Sequence, residues 1–191
     1  MTDYKTFEVQ DVPTPDVGPQ DVLVRVEACG ICGSDVHGMD GSTGRRRPPV
    51  IMGHEASGLI EKVGSAVSGH RIGDRVTFDS TIYNPDSYFS RKGMLNLCDD
   101  RRVLGVSCED YRQNGAMAEM VSIPSHILYP MPDAMTFEQA ALVEPVSIAV
   151  HARNLTPIEP GDTVLVPPAL PARSGVDEGR AETQSLRTEP W

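Results

Sequence analysis

Hydrophobic and polar residues alternate in short runs along the early part of the chain, the period-two pattern of strands with one face turned to a core. Thr6 to Val12 carries this pattern until Pro13, Pro15 and Gly18 interrupt it, and Asp21 to Ala28 resumes it. Val50 to Gly64 is a further β-rich stretch. A Gly73-Asp74 turn then leads into Arg75 to Phe78, and Met117 to Ile123 supplies one more strand. Glycines at 53, 58, 64, 69 and 73 punctuate these runs, as closely spaced corners require. The pattern predicts a mainly β fold with short helices, built around a small, partly open barrel.

The period lengthens later. Thr136-Phe137-Glu138-Gln139 fits a capping box, in which the Thr136 hydroxyl and the Gln139 side chain satisfy each other's free amides. Ala140-Ala141-Leu142 continues as helix. Pro145 either kinks that helix or, the better fit to its missing amide, occupies the first turn of a second helix running through Ala152. Glu144 sits at the junction, where a side chain can face a cleft. Gly161 to Val166 reads as a turn into a short, buried parallel strand, Thr163 to Val166. From Pro167 to Trp191 no period survives, and a disordered tail is expected.

Composition narrows the function. A length of 191 residues suits one sizeable domain with room for part of a second, and 39% hydrophobic residues suit a globular core. A net charge of -10 argues against a nucleic-acid partner. Arg45, Arg46 and Arg47 form the only basic cluster, readable as a solvated loop or as a mouth attracting an anionic substrate such as a sugar phosphate. No apolar run approaches the ~20 residues that span a bilayer, and Met1 to Gln10 has no signal-peptide character. A cytoplasmic chain is expected. Its four cysteines, Cys29, Cys32, Cys98 and Cys108, then read as reduced thiols or metal ligands rather than disulfides.

The chemistry concentrates in Cys29-Gly30-Ile31-Cys32-Gly33-Ser34-Asp35-Val36-His37 and in Gly53-His54-Glu55. Alone, Cys29-x-x-Cys32 fits half a structural zinc site or a redox pair. A second CxxC and a βαβ setting are both missing, so neither is supported. A catalytic zinc uses more of the residues. Cys32, His54, Glu55 and Glu144 offer thiolate, imidazole and carboxylate donors from separated segments, leaving a position for water or substrate. Asp35 is placed to accept the second imidazole N–H of His54, while Ser34 can pass a proton and His37 relay it to solvent. Cys29 reads as a small barrel residue. His70, His126 and His151 receive no role.

At this point a resemblance becomes specific. Gly53-His54-Glu55-x-x-Gly58-x5-Gly64, with Cys32-Gly33-Ser34-Asp35-x-His37 upstream, resembles the zinc-containing medium-chain dehydrogenase/reductase family. Glu144-Pro145-x-Ser147-x-Ala149 is similar to its polyol (sorbitol-like) and threonine dehydrogenase branches, and Gly73-Asp74-Arg75-Val76 and Gly115-Ala116-x-Ala118-Glu119 match further landmarks. The resemblance extends over residues 6 to 166. It implies a GroES-like catalytic domain over 1–153, the first strand of a Rossmann nucleotide-binding domain over 154–166, and a tail over 167–191. It further implies Cys32 and His54 as zinc ligands, Glu55 as a direct or exchangeable ligand, and Glu144 as a ligand or the holder of a zinc-bound water. Ser34 would contact the substrate hydroxyl and His37 relay its proton. The implied activity is oxidation of a secondary alcohol or polyol with NAD or NADP, usually in a homo-oligomer without membrane or nucleic-acid partners.

Three departures qualify this. Relatives carry a structural zinc on C-x2-C-x2-C-x7-C; the matching positions here are Asn84, Ser87, Ser90 and Cys98, so one catalytic zinc is expected and the lobe from Thr81 to Cys108 should be held by packing. After Val166 comes Pro167-Pro168-Ala169-Leu170-Pro171 instead of GxGxxG, so this chain is expected not to bind the nucleotide, as in a truncated or frameshifted product. The start is also short by one strand, so exposed apolar surface and a reduced oligomer interface are expected. These departures support an alternative reading, a non-catalytic zinc-binding GroES-like module or inactive fragment.

Overall fold

The alternation from residue 21 onward becomes strand β1, Asp21–Cys29, whose Val22 and Val24 are fully buried. The protein, seen here in a computed structural model, is described at residues 1–108, 111–156, 158–159, 161–166 and 184–187. Four further strands complete the main sheet: β2 (Ala56–Val63), β3 (Arg75–Phe78), β6 (Met120–Pro124) and β7 (Leu128–Pro130). Their order is β6-β1-β2-β3-β7, and every neighbouring pair is antiparallel. A two-stranded ribbon, β4 (Thr81–Ile82) with β5 (Arg102–Val103), lies between β3 and β6 in sequence.

Connectivity shows that this sheet is curved. β6 and β7 are its opposite edges, yet only Ser125–Ile127, a 3-10 turn, separates them. A flat five-stranded sheet would hold its edges about 19 Å apart. The chain from Pro124 to Leu128 reaches about 14 Å even when fully extended. The sheet therefore curls toward closure without an edge-to-edge ladder, the partly open barrel expected from the strand pattern. Two register shifts between β1 and β2, at Leu23/Val24 and Val26/Ala28, supply the local bend and twist that curling needs. Val22, Val24, Ile60, Val76, Leu104 and Ile123, all at most 1% exposed, fill the interior.

Three α-helices are present among the described residues: α1 (Gly33–Gly38), α2 (Phe137–Ala141) and α3 (Val143–Leu155). The capping box of α2 forms as expected, with the Gln139 amide donating to Thr136 Oγ1 at 3.2 Å and the Thr136 amide to Gln139 Oε1 at 3.0 Å. Ser57 donates to the Phe137 carbonyl at 2.6 Å and Thr77 Oγ1 to the Ala140 carbonyl at 3.1 Å, tying α2 to β2 and β3. Pro145 lies in the first turn of α3, where its missing amide has no helical partner to lose. The chain divides into two compact units, Met1–Ser147 and Ile148–Trp191.

The structure differs from the sequence expectations in three places. Thr6 to Val12 is not a strand: Thr6 makes one bridge to Asp3, and Phe7, Val9 and Val12 are exposed. Alternation yields a strand only where a partner supplies hydrogen bonds, and none of the described residues does so here. β8 (Thr163–Val166) forms as expected but pairs antiparallel with β9 (Gln184–Arg187) rather than in a parallel sheet. β9 also falls inside the expected disordered tail; four residues with one apolar side chain are too few to show a period. The rest of that tail, 167–183 and 188–191, lies outside the described residues. Apolar surface is exposed on α3 at Val146, Ile148, Val150 and Leu155.

The reciprocal cap makes a measurable claim. Thr136→Ala is expected to lower the unfolding free energy by about 1 kcal/mol in urea titrations. A loss of only a few tenths would show that α2 is held by its tertiary bonds alone.

Candidate metal centre

The register of β1 on β2 sets Cys29 opposite Ala56, and just beyond it the Gly30 amide donates to the Glu55 carbonyl at 2.7 Å. The chain leaving β1 and the chain entering β2 are thus held side by side. Cys32, at the N-cap of α1, is brought against His54 and Glu55, and one ligand atom from each lies within 4.8 Å of the others. These are three of the four residues read from the sequence as ligands. Glu144 does not join the group.

His54 and Glu55 are buried, at 8% and 6% exposure, and Cys32 is half-buried. The Glu55 carboxylate has no hydrogen bond or ion pair among the described residues. An unpaired carboxylate this buried is costly unless a cation meets it. Gly30 makes room for it: a Cβ there would lie 2.4 Å from Glu55 Oε2. A thiol, an imidazole and an unpartnered carboxylate around one point form a donor set that suits zinc, so the residues present fit the ion that the sequence implies.

Asp35, 3% exposed, organises the same neighbourhood. Its Oδ2 accepts the Cys32 amide at 3.2 Å and its Oδ1 accepts Arg46 Nη2 at 3.1 Å. His54 Nδ1 lies 3.7 Å from Oδ1, beyond hydrogen-bond length, and is without a partner. The expected Asp35–His54 hydrogen bond is therefore not formed; Arg46 takes the near oxygen. With Nδ1 turned to Asp35, Nε2 remains for a metal. Arg46 Nη2 also donates to Ser34 Oγ at 3.3 Å.

A cleft of about 400 Å³ opens on this group, lined by Ser34, His37, Arg46, His54, Ser80 and Glu144 among others. Ser34 and His37 are exposed on α1. Glu144, on the first turn of α3, faces the cleft while accepting Ser80 Oγ at 3.1 Å. The cleft thus brings one of the three donors, His54, together with the two candidate proton carriers and Glu144. Arg46 and Ser80 were not distinguished in the sequence. One buried arginine inside a run of three carries no periodic mark, and a lone serine carries no motif.

The remaining candidates separate cleanly. Cys29 lies outside the donor group, and burial, with Asp35 and Glu55 nearby, pushes its thiol up to about 11. His126 Nε2 bonds the Tyr83 carbonyl at 3.0 Å and packs edge-on against that ring. Asn84, Ser87, Ser90 and Cys98 converge, but through hydrogen bonds. The buried Cys98 Sγ accepts the Asn84 amide at 3.3 Å and Ser87 Oγ at 3.5 Å, while the Ser87 and Ser90 hydroxyls share a hydrogen bond at 2.9 Å. Burial opposes ionisation of Cys98, but these donors outweigh it and hold the thiol below its ordinary range. The lobe is held by polar bonds as well as by packing.

The fit at Gly30 can be tested directly. Gly30→Ala is expected to displace the flexible Glu55 carboxylate with little effect on folding. Zinc affinity should fall about tenfold or more in chelator competition. Unchanged affinity would show that Glu55 is not needed for metal binding.

Comparison with known proteins agrees with this fold. Residues 18–133 match the alcohol dehydrogenase GroES-like domain. Sorbitol dehydrogenase of Bacillus subtilis is 33% identical over 169 residues, spanning 87% of this chain and 47% of that protein. L-idonate 5-dehydrogenase of Vitis vinifera is 36% identical over 165 residues, spanning 85% and 44%. Among solved structures, a Sinorhizobium meliloti protein described as a zinc-binding dehydrogenase, bound to NADP, superposes with a TM-score of 0.73 at 35% identity, over 83% of this chain and 44% of that one. The chain therefore spans less than half the length of these relatives. On a match covering residues 18–133 of 191, this chain belongs to the alcohol dehydrogenase GroES-like domain family.

Proposed function

We propose that this chain carries the catalytic zinc centre of an alcohol or polyol dehydrogenase, with Cys32, His54 and Glu55 as the ligands. The observation that carries the reading is the buried, unpartnered Glu55 carboxylate converging with Cys32 and His54 within 4.8 Å. Asp35 sets the site from behind. Glu144 stands across the cleft, where its carboxylate can serve as an exchangeable ligand or hold a water. A zinc ion bound here would act as a Lewis acid, lowering the pKa of a substrate alcohol.

The proton then needs a path. Ser34 accepts from Arg46, so its own O–H is free to turn toward a substrate oxygen in the cleft. His37, exposed on the same helix, can hand the proton to solvent. The two are three positions apart in α1, on neighbouring turns of one face. Sorbitol and L-idonate as the named substrates of relatives support a polyol or related secondary alcohol, with NAD or NADP accepting the hydride in the whole protein.

The proposed organisation is a GroES-like catalytic domain over 1–153, followed over 154–166 by the start of a nucleotide-binding domain. Among the described residues no helix is long and apolar enough to cross a membrane, which is compatible with the cytoplasmic location proposed here. The hydrogen-bonded Cys98 lobe supports a single zinc. A second reading, a zinc-binding module without nucleotide, is favoured by the antiparallel pairing of β8, since nucleotide-binding sheets pair that strand in parallel.

Two measurements decide between them. Metal analysis after dialysis is expected to find about one zinc per chain, lost in Cys32→Ser and His54→Ala. A well-folded chain without zinc would refute both readings. NADH fluorescence titration of this chain beside a version extended through a normal nucleotide-binding domain separates the two: binding gained on extension supports the dehydrogenase centre, and no binding by either supports the module.

A further inference from the structure

We propose that Arg46 is a positioning residue of this centre, acting on it through Asp35 and Ser34; the inference rests on the metal-centre reading above. Nothing in the motif that marks the site includes Arg46. Three observations single it out from its neighbours Arg45 and Arg47.

The first is burial. Arg46 is 4% exposed, whereas Arg45 and Arg47 are exposed. A guanidinium in such a place is retained at a large desolvation cost, so its partners matter. The second is connectivity. A single nitrogen, Nη2, reaches Asp35 Oδ1 at 3.1 Å and Ser34 Oγ at 3.3 Å. Asp35 in turn accepts the Cys32 amide and faces His54. One cation therefore touches the carboxylate behind two candidate ligands and the hydroxyl in front of them.

The third is construction. The backbone on both sides of Arg46 is pinned to buried Ser107. Its amide and hydroxyl donate to the Arg45 carbonyl at 3.0 and 3.4 Å, and its hydroxyl accepts from the Arg47 amide. Gly38 of α1 leaves space for the arginine stem, since a Cβ there would lie 2.5 Å from Arg46 Cγ. The loop is thus anchored so that one arginine of three turns inward. A solvated loop has no need of these fittings.

The consequences follow from donor and acceptor chemistry. Guanidinium only donates, so Asp35 Oδ1 is engaged as an acceptor and is kept from rotating away from the His54 ring. Ser34 is obliged to accept from Arg46, which leaves its single hydrogen for the cleft. Removing the guanidinium frees Asp35 to rotate and lets Ser34 donate to it. Both changes loosen the geometry of the site without touching a ligand.

Cobalt(II) reports that geometry in the full chain without any need for turnover. The wild type is expected to bind Co²⁺ with thiolate charge-transfer and tetrahedral d–d bands. Arg46→Met should weaken binding roughly tenfold or more and shift the d–d bands. Arg46→Lys, which keeps the charge beside Asp35 but not the planar fork, should fall between. Arg45→Met removes the same charge from the exposed neighbour and should leave affinity and bands unchanged. Equal losses in Arg45→Met and Arg46→Met would reduce the effect to bulk charge and overturn the proposal. Wild-type affinity and bands in Arg46→Met would overturn it too. Should Arg46→Met fail to fold by circular dichroism, Arg46→Lys decides: shifted bands support positioning, and unchanged bands refute it. A folded wild type that takes no Co²⁺ refutes the metal-centre reading and this inference together. Failure of the Arg46 variants alone leaves the centre standing.

Discussion

β1 and β2 run antiparallel in the register that sets Cys29 opposite Ala56, and the site depends on this pairing. The ladder ends where the site begins. Its last bond, from the Gly30 amide to the Glu55 carbonyl, leaves two short segments crossing the barrel mouth together. A slip of one residue would turn every β1 side chain to the opposite face and carry Cys32 away from His54. Fully buried Val22 and Val24 oppose that slip, because each would have to trade core for the other face. The hydrophobic core and the metal donors are thus tied to one register.

Charge is the second organising constraint. Asp35, Arg46, His54 and Glu55 are all less than 9% exposed. Asp35 and Arg46 answer each other at 3.1 Å. His54 Nδ1 and Arg46 Nε are buried without a hydrogen bond, and the Glu55 side chain has none among the described residues. Packing does not explain such groups, since apolar residues would fill the same space at lower cost. The cation proposed here would pair with the carboxylate, and a short further approach of Asp35 would satisfy the imidazole. The neutral cluster around Cys98 shows the contrast, because its polar atoms bond one another and leave no vacant donor set.

Much of this was legible before any coordinates. β1, β2, β3 and β6 were recognisable because each has a half-buried face and a glycine or proline boundary. The α2 cap was recognisable because its chemistry is local. Cys32, His54 and Glu55 stood out because they offer thiolate, imidazole and carboxylate donors within a pattern that resembles a zinc-dependent family. Thr6 to Val12 misled because alternation describes a surface suited to pairing, and the partner must come from elsewhere. The Asp35–His54 bond misled because the competitor for Asp35, Arg46, lies in a run whose three members look alike in sequence.

The chain by itself determined the strand and helix segments, the donor types and the family pattern, because propensity, capping and motif spacing act over a few residues. Only the tertiary structure decided which groups meet. It left Glu144 across the cleft on Ser80, turned one arginine inward, and joined Asn84 and Ser87 to Cys98 by hydrogen bonds. Such choices depend on the curl of the sheet, which arises because three residues must join its opposite edges. No local stretch of sequence carries that distance.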